Sequence, residues 1–264
     1  MNPIALAYSD LAIAATLILI NGAISFAFRL GLERSLAIAA VRMTVQLSLI
    51  GFVLKFVFAQ ASPWWTIGMA LIMVAAAAYE AQARQSVRFK GWLAHGLGGI
   101  VLLVTGTLTT LLAVGVIIGP DPWYAPRYVL PILGMMLGNA LTGVALTLDT
   151  LTVTAKRERN GIEARIALGA RRHEAMGDPL RQALRTGMLP IINAMAASGL
   201  VSLPGMMTGQ ILAGADPVEA TKYQLLVMFL IAGGTGLGIL GAGLAGVHLL
   251  TDARGRLRLD RLQA

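Results

Sequence analysis

Seven stretches of this chain are each long and apolar enough to cross a bilayer, and that decides the fold class. They cover 6–28, 36–58, 64–80, 92–118, 128–149, 188–212 and 221–249, joined by short polar links. A hydrocarbon core of about 30 Å takes roughly 20 mostly apolar residues of helix. One such run also suits a buried helix of a soluble protein. Seven of them in 264 residues, with 56% hydrophobic and 13% charged composition, do not. The expected fold is all-α: a polytopic membrane protein of about seven transmembrane helices, one transmembrane domain over 1–264.

The charge is +8 overall, which by itself would suit a nucleic-acid partner. Its distribution argues for topology instead. With the N-terminus outside, the inner links hold Arg29 and Arg34; Arg84, Arg88 and Lys90; and eight Lys/Arg between Lys156 and Arg185. Arg254, Arg256, Arg258 and Arg261 follow in the C-terminal tail, so 17 of the 21 Lys/Arg fall on one side. Positive charge on short loops sets orientation, so the expected arrangement is N-out and C-in with no nucleic-acid role. The first apolar run lacks a basic lead and a clear cleavage site, and reads as a retained helix.

Several chemistries lack their residues. Cysteine is absent, so there is no disulfide framework or thiolate metal site. No G-x-x-x-x-G-K-[ST], H-E-x-x-H or G-x-S-x-G occurs, and His95, His173 and His248 are scattered. The expectation is a non-enzymatic chain with no catalytic residue and no cofactor of its own; a metal site is left open. Glycines such as Gly134, Gly138, Gly234 and Gly238 serve close helix approach, within the chain or between two copies.

The longest polar interval, 150–187, contains "RNGIEARIALGARRHEAMGDP" (159–179). Asn160 and Glu163 have capping-box spacing, and Ile162, Ile166 and Gly169 or Ala170 form an apolar stripe opposite Arg165, Arg171 and Arg172. The helix is expected to stop at Gly177. Asp178 then caps a second one, with Pro179 at its first position. An amphipathic helix lying on lipid and a docking helix for a soluble partner are both compatible with this pattern.

"EARIALG" (163–169) followed by "GARRHEA" resembles the EAA-type loop of ATP-binding-cassette (ABC) permeases, with Arg165 in place of that motif's second alanine and "LP" (189–190) falling late. "GLVSLPGMMTGQILAGADPVEATKYQLLVMFLI" (199–231) closely resembles the FetB-type permeases, bacterial iron-export permeases related to plant aluminium-tolerance permeases. "VRMTVQLSLIGFVL" (41–54) and "LPILGMMLGNALTGVAL" (130–146) read the same way. The resemblance implies the membrane half of an exporter in the bacterial inner membrane, moving metal ions such as iron. Two copies would pair with two of a separate ATPase, which holds the ATP and Mg. Glu163, Ala164, Arg165, Gly169, Ala170 and Arg171 would then couple to that ATPase through the 150–187 loop.

A transport path is expected near Pro204-Gly205. The apolar stretch around them would reach about 39 Å as a straight helix, and proline followed by glycine interrupts it. Broken backbone inside a membrane needs cover by protein or water. Met206, Met207 and Gln210 lie nearby, and Met135-Met136 precede Asn139. Thioethers suit soft metals, yet methionine also fills apolar gaps, so packing and ligation stay open. Arg42 and Gln46 share a face of the second span. Glu80 is expected to pair with Arg84 at the interface. Asp216-Pro217-x-Glu219 reads as a helix start. The alternative function is an ion-coupled secondary transporter using Arg42 and Glu80.

Overall fold

A computed structural model describes residues 7–60, 62–252 and 255–263, so Arg254 and Ala264 lie outside the described residues. These residues form ten α-helices and no strand: α1 (Tyr8–Ala27), α2 (Glu33–Gln60), α3 (Pro63–Ala83), α4 (Trp92–Leu111), α5 (Pro126–Arg157), α6 (Arg159–Ala167), α7 (Arg172–Ala175), α8 (Gly177–Ala197), α9 (Gly205–Leu212) and α10 (Pro217–Leu250). A π-helical turn, Leu112–Ile118, extends α4 and ends at Gly119.

Six helices are long and apolar enough to cross a membrane: α1, α2, α3, α4 with its π turn, α5 and α10. The expected span over 188–212 is not one helix. It begins earlier, at Gly177, because Asp178, Arg181 and Arg185 ride on one side of an amphipathic first half whose Ala183 and Gly187 are buried. It stops at Ala197, and α9 resumes at Gly205. Between them the chain folds on itself: the Val201 and Ser202 amides both donate to the Ala197 carbonyl at 3.1 Å, and the Gly199 amide donates to Ser202 at 2.9 Å. Gly199 sits at φ +94, where an L side chain is strained. The break therefore precedes Pro204, which only caps α9.

α5 and α10 form the centre. α8 runs antiparallel to both, with Gly187 against Gly143 and Thr147, and Met188 beside Gly236. A Cβ on Gly187 would overlap the Thr147 hydroxyl, and one on Gly234 would overlap Met136 and Thr109. These glycines serve packing within the chain. Gly134 also meets Met73, whereas Gly138 faces open space. α1 and α2 stand apart from the centre, with only Ser25 and Val57 buried. Their turn is fixed by the Ser25 hydroxyl, which donates to Glu33 at 2.8 Å and accepts from the Leu32 amide at 3.1 Å.

A separate apolar cluster closes one end of the bundle, hereafter the basic end. Leu151 and Ala155 of α5, Ile162 of α6, Ala175 and Met176, Ala183 of α8, and Val247 and Leu250 of α10 pack there with Phe89 and Leu262. The tail takes part through its backbone. The Lys90 amide donates to Arg261 at 2.7 Å, and the Gln263 amide to Arg88 at 2.7 Å. The Arg261 guanidinium donates to the Leu249 carbonyl at 2.7 Å.

Candidate coupling surface and transport path

Glu158 precedes α6 as its cap residue, so the expected capping box at Asn160 does not form. Asn160 lies inside the helix, and Glu163 instead accepts from Arg159 at 2.8 Å, an i,i+4 pair. Ile162 is 2% exposed, with Ile166 and Ala170 packed beside it, so the apolar stripe is present. Gly169 is not part of it. α6 stops at Ala167, ten residues before the expected Gly177, because 165–170 form a Schellman turn. The Gly169 amide donates to Ile166 and the Ala170 amide to Arg165, each at 3.0 Å, with Gly169 at φ +93. A Cβ at Gly169 would meet nothing within 4 Å. Glycine is there for its backbone angle, not for a close neighbour.

That turn lifts Leu168 into solvent, 90% exposed. Beyond it, Glu174 accepts from the Arg171 amide at 2.8 Å and starts α7. Asp178 does not cap α8, whose cap residue is Met176. Its carboxylate binds Arg165 at 3.0 Å and Arg181 at 3.1 Å, tying α6 to α8. Arg165, the residue that departs from the EAA pattern, thus has a structural partner. Ala164 lies between Glu163 and Arg165 on α6. Arg172 reaches His248 Nδ1 of α10 at 3.0 Å. In the tail, Arg258 holds Asp260 through two contacts of 2.8 Å. Those hydrogen bonds lower the Asp260 carboxyl to about 2 and raise Arg258.

The residues expected along a path fall into two places. Arg42 and Gln46 line an open recess on α2 with Ser35, Ile38 and Met43. Arg42 pairs with Glu80 of α3, 38 residues away, while Arg84 donates to Thr142 Oγ1 at 3.2 Å. The expected Glu80–Arg84 pair is therefore replaced by one between helices. Asp149, which the sequence did not single out, accepts from the Ser86 amide and hydroxyl at 2.7 and 2.6 Å.

The second place is an apolar cluster away from the basic end. Met136 is fully buried there, and Met135, Met188, Met206 and Met228 pack against it. Met207 points elsewhere, toward Thr221 Oγ1 at 3.9 Å. Asn139 spends its amide nitrogen on the Met135 carbonyl at 2.9 Å. Gln210 on α9 and Gln224 on α10 each bury a side-chain oxygen without a hydrogen-bond partner. Pro204 and Gly205 open α9, and the preceding loop exposes Leu200 and Val201 by 98% and 84%. Asp216 caps α10 as expected, accepting from the Val218 and Glu219 amides at 2.9 and 3.1 Å. Among the described residues, no group of three or more His, Asp or Glu side chains could hold a metal ion.

Long apolar helices around a glycine-packed centre, with one broken helix, define a polytopic all-α membrane protein. The chain belongs to the uncharacterised protein family UPF0014, whose model matches residues 8–250. It is 38% identical to a UPF0014 membrane protein of Synechocystis over 76% of this chain and 77% of that one. It is 36% identical to the protein ALUMINUM SENSITIVE 3 of Arabidopsis thaliana, over 84% of this chain and 79% of the relative. Identity to the probable iron export permease protein FetB of Escherichia coli is 32%, over 88% and 87%. No solved structure matches the chain significantly.

Proposed function

We propose that this chain is the membrane subunit of an ABC exporter of the bacterial inner membrane, one transmembrane permease domain over 1–264. Two copies pair with two copies of a separate ATPase that binds ATP and Mg; the chain itself binds no cofactor and catalyses nothing. The basic end faces the cytoplasm, in keeping with the positive-inside rule. The cargo is a metal ion, with iron the candidate drawn from the name of the Escherichia coli relative.

One observation carries the reading: Leu168 stands 90% exposed on a rigid turn flanked by Arg165 and Arg171. A bare leucine on a soluble face, held by a Schellman turn, is what a protein socket would take up. A helix lying on lipid would bury its whole apolar stripe in the bilayer, but Ile162 and Ile166 face the chain's own core. Motion at α6 passes to α5, which it adjoins in sequence, and to α8 through the Arg165–Asp178 pair. The 150–187 loop thus couples the two subunits.

Co-expression with a candidate ABC ATPase subunit, purification, and metal-stimulated ATP hydrolysis in liposomes test this. Co-purification lost in Leu168→Asp, with the permease still inserted, is the expected result. Undiminished binding would leave the segment as a surface helix.

The ion-coupled alternative has one observation in its favour, the Arg42–Glu80 pair between α2 and α3. Protonating Glu80 would free Arg42. Cargo movement driven by a proton gradient, without any ATPase, would establish that alternative.

A further inference from the structure

A recess of about 300 Å³ lies between α3, α4 with its π turn, and the start of α5, away from the basic end. None of the described residues lining it is charged. On α3 the lining runs from Thr66 to Val74, a rise of about 12 Å. Thr66 is in the first turn of α3 and Val74 near its middle, so the recess is about as deep as one leaflet of a core of about 30 Å. Its two ends differ. α3 and α4 run antiparallel, with Gly98 and Gly99 against Ala81 and Ala78, which brings Thr110 level with the first turns of α3. Thr66, Thr110 and the edge-to-face pair of Trp123 and Tyr124, centroids 5.8 Å apart, therefore lie at the outer end. Val74, Leu103 and Leu133 line the inner one. The Thr66 hydroxyl donates to the Ser62 carbonyl at 3.1 Å, but Thr110, 5% exposed, has a hydroxyl with no partner. The π turn contributes Val114 and Gly115, and a Cβ on Gly115 would meet nothing within 4 Å. Such turns are rare and recur at functional sites.

We propose that this recess holds one acyl chain of a phospholipid, drawn from the leaflet away from the basic end. Ile67 and Leu71 of α3 and Leu103 and Leu111 of α4 line it and are exposed, so its mouth is continuous with the apolar surface that the bilayer covers. The lining is apolar at depth and carries hydroxyls and aromatic rings at the outer end, the polarity of a lipid chain leading up to its ester. Trp and Tyr belong at headgroup level, where the Trp123–Tyr124 pair would then sit. The ester carbonyl is an acceptor of the kind the Thr110 hydroxyl lacks. A second copy of the chain is the rival cover for the mouth, yet no single side chain runs the length of the recess. Bound there, the lipid fills the gap between α3 and α4 against the centre formed by α5. The site depends neither on an ATPase nor on the nature of the cargo.

The full-length chain, delipidated in mild detergent, is titrated with palmitoyl-oleoyl phosphatidylglycerol and followed by native mass spectrometry. Expected is a single lipid retained by each chain. Gly115→Phe places a ring in the recess and should weaken retention at least about tenfold, because every methylene kept out costs the ligand several-fold. Gly115→Leu, with a smaller side chain, should lose less. Gly51→Phe also enters open space, on α2 and outside the recess, and should bind as the parent does. An unchanged unfolding temperature shows that each variant is folded. A phosphatidylglycerol carrying a photoreactive group midway along one chain should label peptides of α3 and the π turn in the parent, and not in Gly115→Phe. No retained lipid, equal retention by Gly115→Phe and the parent, or labelling confined to other helices would overturn the site. So would a dimer that excludes the lipid and dissociates in Gly115→Phe, since a second copy would then be what covers the mouth.

Discussion

The Lys90 amide donates to the Arg261 carbonyl at 2.7 Å, which fastens the C-terminal tail to the loop between α3 and α4. That bond, with Phe89 and Leu262 buried side by side, makes the tail part of the basic end rather than an appendage. The same cluster contains Ile162 of α6. Tail, loop and α6 therefore share one core.

Leu262 is 6% exposed and Leu168 is 90% exposed, so their truncations should separate stability from docking. Leu262→Ala is expected to cost about 2–4 kcal/mol, as buried leucines do. Leu168→Ala should change stability by less than about 0.5 kcal/mol yet weaken co-purification with the ATPase. Thermal unfolding in detergent and pull-down yields check the pair.

The tail should also loosen in acid. Asp260 is held at about 2 by Arg258, below its usual 3.8. A depressed carboxyl contributes stability that is present above its unfolded value and is lost as pH falls through the folded one. Tail protection is thus complete above pH 3.8 and declines toward pH 2. Amide exchange at Arg261 and Gln263, measured across that window, gives the readout, and Asp260→Asn should show no such window.

Gly169 ends α6 at φ +93, so a bulky residue there strains the backbone before it touches any partner. Gly169→Leu is expected to cost about 1–2 kcal/mol, while Gly169→Asn, which tolerates the left-handed region, costs less. Glu163→Lys loses only an exposed pair with Arg159, worth under about 1 kcal/mol. Loss of ATPase binding in Glu163→Lys and Gly169→Asn alike would report docking; loss in Gly169→Leu alone would report strain.

Much of the bundle was legible because a hydrophobic span needs only length and composition. Spans one to five and the last appear within a few residues of where the sequence put them, save that α5 runs on to Arg157. The Asp216 cap was legible because its side chain bonds its own neighbours. What the sequence hid was long-range. Arg42 finds Glu80 across 38 residues, and Leu262 finds Phe89 across 173. The sequence placed a helix start at Pro179, two residues inside α8, but began the sixth span only at 188, because an amphipathic first half, charged on one side, does not read as a span. Gly177 looked like a stop, yet the stop was Gly169, since glycine's role depends on a backbone angle that composition does not reveal. Met188 and Met228 had no local signal at all; only the packing of α8 and α10 against α5 and α9 brings them into the apolar cluster that holds Met136 and Met206.

The break between α8 and α9 decides which residue a hinge would depend on. Pro204 contributes no amide and caps α9 at φ −61, a backbone that alanine adopts freely. The turn itself is held by the Ala197 carbonyl, which accepts from Val201 and Ser202, and by Gly199 at φ +94. Pro204→Ala should therefore leave the break in place, with near-parental stability and transport. Gly199→Ala forces a Cβ into the left-handed region and is expected to cost about 1–2 kcal/mol. Because Met206 follows directly on α9, it should also weaken cargo movement in liposomes while ATPase binding at the opposite end persists. Measuring transport and co-purification for both variants decides the point. Impaired transport in Pro204→Ala with a normal Gly199→Ala would return the hinge to the proline.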